Sequence, residues 1–230
     1  MTVEEITKSL AKPATKFIAG GLRPNGQNDE SWLGKIFLYK QDEEIPFDEK
    51  GEKMLPLAQI YLPSLPYCHS SLQATKIITL FVSPSLPSQL EEMGKNWVIR
   101  EYDDLESLVI KEFDFEYSFL KSFPLKNEFI EADYPQWDSY DTYDIQDAII
   151  ELEESGEIES YFDITEHEYT HKIGGYPSFC QPGIDFGENY EFVFQISSDA
   201  KINLNVVDSG SLMFAKNVES GKWIVYYDFY

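Results

Sequence analysis

Gly174-Gly175-Tyr176-Pro177, followed by Val193-Phe194-Gln195-Ile196 and then Ser211-Leu212-Met213-Phe214, decides how this chain is read, because an earlier series has the same order. That series is Gly20-Gly21-Leu22-Arg23-Pro24, then Leu57-Ala58-Gln59-Ile60, then Ile78-Thr79-Leu80-Phe81. A Gly-Gly turn, a strand carrying Gln-Ile and a strand ending in Phe thus occur twice. The expectation is a mainly β (α+β), β-roll-like single domain over residues 1–230, built from two pseudo-symmetric repeats with a few short helices. Repeat one covers about 14–102, an acidic helical insert 128–168, and repeat two 169–230.

Working outward, Lys16 to Ala19 reads as a brief strand and Trp32 to Tyr39 as another. Pro56 and Pro63 bracket a strand over 57–62, since proline cannot donate to a ladder. Strands follow at 76–82, 97–102 and 222–229, each rich in β-branched or aromatic residues. Residues 108–130 fit short strands and loops equally. Thr2-Val3-Glu4-Glu5 has the form of a capping box, and Val3, Ile6 and Leu10 share one face, so 3–11 reads as a helix stopped by Pro13. Ile145, Ala148, Ile149 and Leu152 form an apolar stripe ahead of Gly156, which predicts a second helix over 144–155.

With 43% hydrophobic residues, 16 Phe and 15 Tyr, the chain has the material for a core without disulfide or metal. No apolar run reaches the ~18 residues of a membrane helix, and the start, Met1-Thr2-Val3-Glu4-Glu5, does not have the charge pattern of a secretory signal. Cytoplasmic localisation is the expectation. Cys68 and Cys180 form neither a framework nor a zinc-type pair, and both read as bystander thiols.

The net charge is −23, from 41 acids against 18 bases. Between Asn127 and His171 there is no Lys or Arg, while 15 Asp and Glu occur. Such a surface repels nucleic acid and anionic lipid, whose binding needs Lys and Arg to release counterions. It attracts and steers a basic protein partner, or else keeps an aromatic-rich surface soluble.

His167-Glu168-Tyr169-Thr170-His171 matches the His-Glu-x-x-His of zinc peptidases, with Glu188 or Glu191 as a third ligand. The flanks argue against a helix: no apolar stripe surrounds the motif, and Gly174-Gly175 follows within one turn. In a strand the Glu would point away from the two imidazoles. The zinc reading is therefore the least favoured, and no metal or cofactor is expected. Asp138, Asp141, Asp144 and Asp147, three apart, do not fit a calcium loop. No phosphate-cradling loop or nucleophile elbow is present. Gln59 and Gln195 lie inside apolar strands, where a buried amide must find partners. They either tie the strands to the Gly-Gly loops or line a groove between repeats.

His171-Lys172-Ile173-Gly174-Gly175-Tyr176-Pro177-Ser178-Phe179-Cys180-Gln181 resembles the signature of the YwqG-like proteins, a bacterial domain of unknown function. Phe194-Gln195-Ile196-Ser197-Ser198-Asp199 and Asp208-Ser209-Gly210-Ser211-Leu212-Met213-Phe214 resemble two further segments of that family. Trp32-Leu33 stands where the family has Trp-Pro, and Val207 where it has Gly. The resemblance implies a mainly-β roll with internal pseudo-symmetry, brings no established activity, and suggests an immunity-type binding role of the kind suspected for some relatives. The leading expectation is a non-enzymatic protein-binding module that presents the 128–168 region to a basic protein. The alternative is a ligand or enzymatic pocket near the Gly-Gly-Tyr-Pro loop, with Gln59, His171, Lys172, Gly174, Gly175, Tyr176, Gln181 and Gln195 as candidate binding residues.

Overall fold

The Thr2 hydroxyl accepts a hydrogen bond from the Glu5 amide, the Glu5 carboxylate accepts one from the Thr2 amide, and helix α1 runs from Val3 to Leu10. The computed structural model describes residues 1–182 and 184–229. Thirteen strands follow α1 among these residues: β1 Lys12–Ala19, β2 Trp32–Leu33, β3 Leu38–Tyr39, β4 Leu55–Tyr61, β5 Ile77–Val82, β6 Glu91–Glu92 and β7 Trp97–Tyr102. After these come β8 Val109–Ile110, β9 Phe123–Asp133, β10 Lys172–Gly174, β11 Tyr190–Ser197, β12 Ser211–Asn217 and β13 Trp223–Asp228. Helix α2, Gln146–Ser155, lies between β9 and β10 and ends on Gly156 in the left-handed conformation. Strand makes up 32% of the chain and helix 14%, so the expected mainly-β class holds.

Eleven strands form one antiparallel sheet in the order β6-β13-β12-β11-β10-β1-β9-β2-β4-β5-β7. The sheet curls into a half-barrel. Its first and last strands, β6 and β7, are neighbours in the chain, separated only by residues 93–96. Across the gap, Glu101 of β7 accepts hydrogen bonds from Lys216 of β12 at 2.8 Å and from Trp223 Nε1 of β13 at 2.8 Å. The concave face carries the main core, in which Trp97 of β7 meets Phe214 of β12 with ring centroids 5.5 Å apart.

Two registers define where the buried glutamines sit. Trp32 faces Gln59 and Leu33 faces Ala58 between β2 and β4. Lys172 faces Gln195 and Ile173 faces Phe194 between β10 and β11. The glycine closing each short strand is Gly34 in the first case and Gly174 in the second. Gly20-Gly21, at the end of β1, therefore does not hold the sheet position of Gly174-Gly175. The Phe correspondence also moves by one residue: Leu80, opposite Ala58, takes the place that Phe214 takes opposite Phe194.

Three expectations are corrected. The strand expected over Trp32 to Tyr39 breaks into β2 and β3, because Gly34 adopts φ +69° and a Cβ there would overlap the Lys121 carbonyl. Pro56 lies inside β4, at the register shift between Pro56 and Ala58, where a missing donor is tolerated. The ambiguous 108–130 stretch holds β8 and most of β9, and β9 pairs along nearly all of β1. The first six residues of the expected insert, 128–133, are thus strand, not helix.

Residues 134–171 leave the sheet as an excursion containing α2 and two 3₁₀ turns, Tyr140–Ile145 and Tyr161–Asp163. Ile145, Ile149, Leu152 and Tyr161 bury their side chains against Ile6 and Leu10 of α1. The N-terminal helix thereby anchors the excursion to the sheet.

Candidate functional site

Asp133, the last residue of β9, and Lys172, the first of β10, both have completely buried side chains. The Lys172 Nζ donates to Asp133 Oδ2 at 2.7 Å and to the Glu168 carbonyl at 2.5 Å. Asp133 Oδ2 also accepts from the Tyr176 amide at 2.8 Å, and Oδ1 from the Glu168 amide at 2.8 Å. Burial pulls the Lys172 ammonium below the ordinary amine range, and the Asp133 carboxylate opposes that pull. Gly175 has φ +67° and packs directly on the carboxylate, which leaves no room for a Cβ. The Gly-Gly-Tyr-Pro loop is therefore wrapped around one buried ion pair. Tyr176 finishes the wrap by donating its hydroxyl to the Leu10 carbonyl of α1 at 2.7 Å.

Beside this pair runs a chain of polar side chains. His167 Nδ1 donates to the Tyr134 carbonyl at 2.6 Å, so Nε2 is the acceptor for Ser178 Oγ at 2.8 Å. Ser178 Oγ in turn accepts from Gln195 Nε2 at 2.8 Å, and Gln195 Oε1 accepts from the Ser178 amide at 3.1 Å. Gln195 also reaches the Tyr169 and Thr170 carbonyls and Ser197. The Ser197 amide donates to His171 Nδ1 at 3.0 Å, which leaves His171 Nε2 facing Asp199 at 3.3 Å. Burial and the nearby Lys172 charge hold His167 down to about 4, so the imidazole is neutral at ordinary pH.

This geometry fixes what the motif can do. The His-Glu-x-x-His segment is not helical, and its two imidazoles are committed to different partners. Among the described residues no group of three His, Cys, Asp or Glu side chains could hold a metal ion. Ser178, His167 and Asp133 look like a nucleophile triad only on paper. His167 Nδ1 lies 3.8 Å from Asp133 Oδ1 and bonds to a carbonyl instead, while the Ser178 hydroxyl is buried and capped by Gln195. Cys68 is no better placed, since burial pushes its thiol up to about 11.

Gln59 serves the other half of the sheet in the same manner. Its Oε1 accepts from the Phe37 and Leu38 amides, each at 3.1 Å, and its Nε2 donates to the Glu30 carbonyl. Gln195 and His171 meet through Ser197, but Gln59 does not join them; four strands, β2, β9, β1 and β10, separate it from β11. Measured along the curled sheet, at ~4.8 Å per strand, that is more than 20 Å. Of the remaining candidates, Lys172 is enclosed and Gln181 is exposed, with its amide donating to Asp228 at 2.9 Å. Gly174, Gly175 and Tyr176 reach an open cavity.

That cavity, about 450 Å³, lies where β1, the β4–β5 connection, the excursion and β11 converge. Its aromatic walls include Tyr67, Tyr140, Tyr176, Phe186 and Phe192, and Asp141, Asp185 and Glu191 supply carboxylates. Lys12 Nζ sits 3.8 Å from the Tyr176 ring centroid and 3.4 Å from Asp141. His69 Nδ1 accepts from the Ser71 amide, its Nε2 faces Glu191 at 3.7 Å, and burial holds the ring below its ordinary value. Sequence reasoning found the loop but missed Lys12, Tyr67 and His69, which carry no motif and meet only in space. A second cavity, about 670 Å³, is lined by Trp32, Phe37 and Phe113 together with Lys35 and Lys111.

The excursion presents a different surface. Of the 15 carboxylates between Asn127 and His171, 11 are exposed and Asp133 alone is buried. Two lysines from β1 reach them: Lys12 at Asp141 and Lys16 at Glu168. Tyr140, Tyr143, Phe162 and Tyr169 are exposed among them, with Phe162 open to 68%. No helix among the described residues is long and apolar enough to cross a membrane.

Residues 31–219 match the family described as Domain of unknown function (DUF1963), and the chain belongs to that family. No curated protein matches it.

Proposed function

We propose that this member of the Domain of unknown function (DUF1963) family is a non-enzymatic cytoplasmic binding module whose acidic excursion docks a basic protein. One observation carries the reading: ten exposed carboxylates, hardly compensated by lysine, surround exposed aromatic rings on a single excursion from the sheet. Charge of one sign steers a partner of the other, and exposed aromatics supply the contact area that charge alone lacks. The engagement of His167, Ser178 and Gln195 with one another behind that surface supports a binding role over a catalytic one.

The same proposal takes residues 1–230 as one YwqG-like domain of two repeats. What supports the duplication is the palindromic strand order, in which β1 answers β9, β2 answers β10 and β4 answers β11. The matching Gln59 and Gln195 registers support it too. Within this scheme the excursion is an insertion, since 134–171 stands where the other half has only the loop between β1 and β2.

Capture from native lysate at low and moderate salt tests the docking surface. The comparison is with a variant carrying Glu151→Gln, Glu154→Gln, Glu157→Gln and Glu159→Gln. A basic polypeptide held by the native chain, released by salt and lost in the variant is the expected result. Equal retention by both proteins, or none by either, rejects the reading.

A further inference from the structure

The cavity beside the Gly-Gly-Tyr-Pro loop has a chemistry of its own. Three carboxylates on separate elements, Asp141, Asp185 and Glu191, stand around aromatic faces, and Lys12 is the one ammonium among them. Ring faces attract cations through their quadrupole, and the attraction grows as the site loses water. Lys12 already exploits this arrangement, lying over Tyr176 while touching Asp141. Its side chain remains half exposed, so it can leave without unravelling anything. The larger cavity near Trp32 balances two lysines, Lys35 and Lys111, against two glutamates, Glu30 and Glu112, and so lacks the excess of carboxylate found here.

We propose that this cavity receives the guanidinium of an arginine side chain, which displaces Lys12 from the Tyr176 face and pairs with the rim carboxylates. Arginine fits better than lysine because its planar group stacks on a ring and presents donors to two carboxylate oxygens at once. A volume of about 450 Å³ lies within the ordinary range for ligand sites, roughly 300–1,000 Å³, and takes such a side chain with ease. Tyr140 and Asp141 belong to the acidic excursion, so a basic chain drawn to that surface passes the cavity mouth. The identity of the arginine's owner rests on the docking proposal above; the cation site does not.

The test is an NMR titration of the full chain with Nα-acetyl-arginine N-methylamide, using the neutral citrulline analogue as control. Saturable shifts at Tyr67, Tyr140 and Phe192, without shifts at Trp32, are expected. Citrulline should bind at least about tenfold more weakly, because it keeps the shape but loses the charge. Glu191→Gln should weaken binding by about fivefold, whereas Lys12→Ala should tighten it by about threefold by removing the resident competitor. Absence of localised shifts, equal binding of citrulline, or weaker binding in Lys12→Ala overturns the proposal. The glutamine variant of the excursion separates the two ideas. It should lose the basic partner while still binding the arginine amide; a chain that holds the partner but not the amide refutes only the cavity.

Discussion

Asp133 and Lys172 meet at 2.7 Å at the ends of β9 and β10, with no solvent-accessible surface on either side chain. Strand β1 lies between those two strands, with Lys12 opposite Asp133 and Lys16 opposite Lys172, so the pair spans the intervening strand. Two further amides, of Glu168 and Tyr176, converge on the same carboxylate. A single side chain thus positions both the segment entering β10 and the loop leaving it.

Removing one partner of a buried pair is far more damaging than removing both, because the survivor keeps its desolvation cost without its attraction. Asp133→Leu should therefore lose ~3–5 kcal/mol in urea denaturation. The double variant Asp133→Leu, Lys172→Met should recover at least about 1 kcal/mol of that loss. A double variant less stable than the single one would show that the amide contacts, not the charge pair, dominate.

His167 gives the fold a pH dependence of predictable sign. The ring is held at about 4 in the fold against an ordinary 6.5, so on acidification the unfolded chain takes up the proton first. Its contribution is complete above pH 6.5 and is lost as pH falls from 6.5 towards 4, by up to ~3 kcal/mol. His69, also held low by burial, acts in the same direction. Denaturation midpoints compared at pH 7 and pH 5 should fall in the native chain and fall less in His167→Gln. An identical drop in both proteins would acquit His167.

Gly175 and Gly21 both have positive φ, but only Gly175 lies against other atoms. An alanine at 21 meets open space and should cost about 1 kcal/mol of backbone strain. An alanine at 175 must push into the Asp133 carboxylate and should cost ~3 kcal/mol or more. Thermal denaturation of the two variants side by side decides the matter, and equal losses would mean that the Asp133 hub yields easily.

Where the sequence carried a local device, the fold was legible. The Thr2–Glu5 capping box and the stripe ending at Gly156 delimit α1 and α2 to within two residues. Apolar runs at 77–82 and 97–102 are strands as expected. Strand β9 escaped because only Pro124, Leu125 and Asp133 in it are buried. Lys126, Asn127, Glu128 and Glu131 remain at least partly exposed, so no apolar run marks an element that pairs along nearly all of β1. Gly34 escaped for the opposite reason: a lone glycine within an apolar stretch gives no sign of the sharp break it makes. Asp133 was hidden among 15 acids, and only its meeting with Lys172, 39 residues away, sets it apart. The glutamines were recognised as buried amides in need of partners, yet their wide separation depends on strand order, which no local pattern reveals.

The four-residue link between β6 and β7 has a consequence for how the molecule is assembled. Because β6 pairs only with β13, a slot stays vacant until the C-terminal strand arrives to fill it. Trp223 to Asp228 acts as a keystone: newly made chain lacking it would expose the open backbone edge of β12, a template for unwanted partners. Completion of the curled sheet and protection from self-association are thereby one event, which waits on β13, the last of the thirteen strands in chain order.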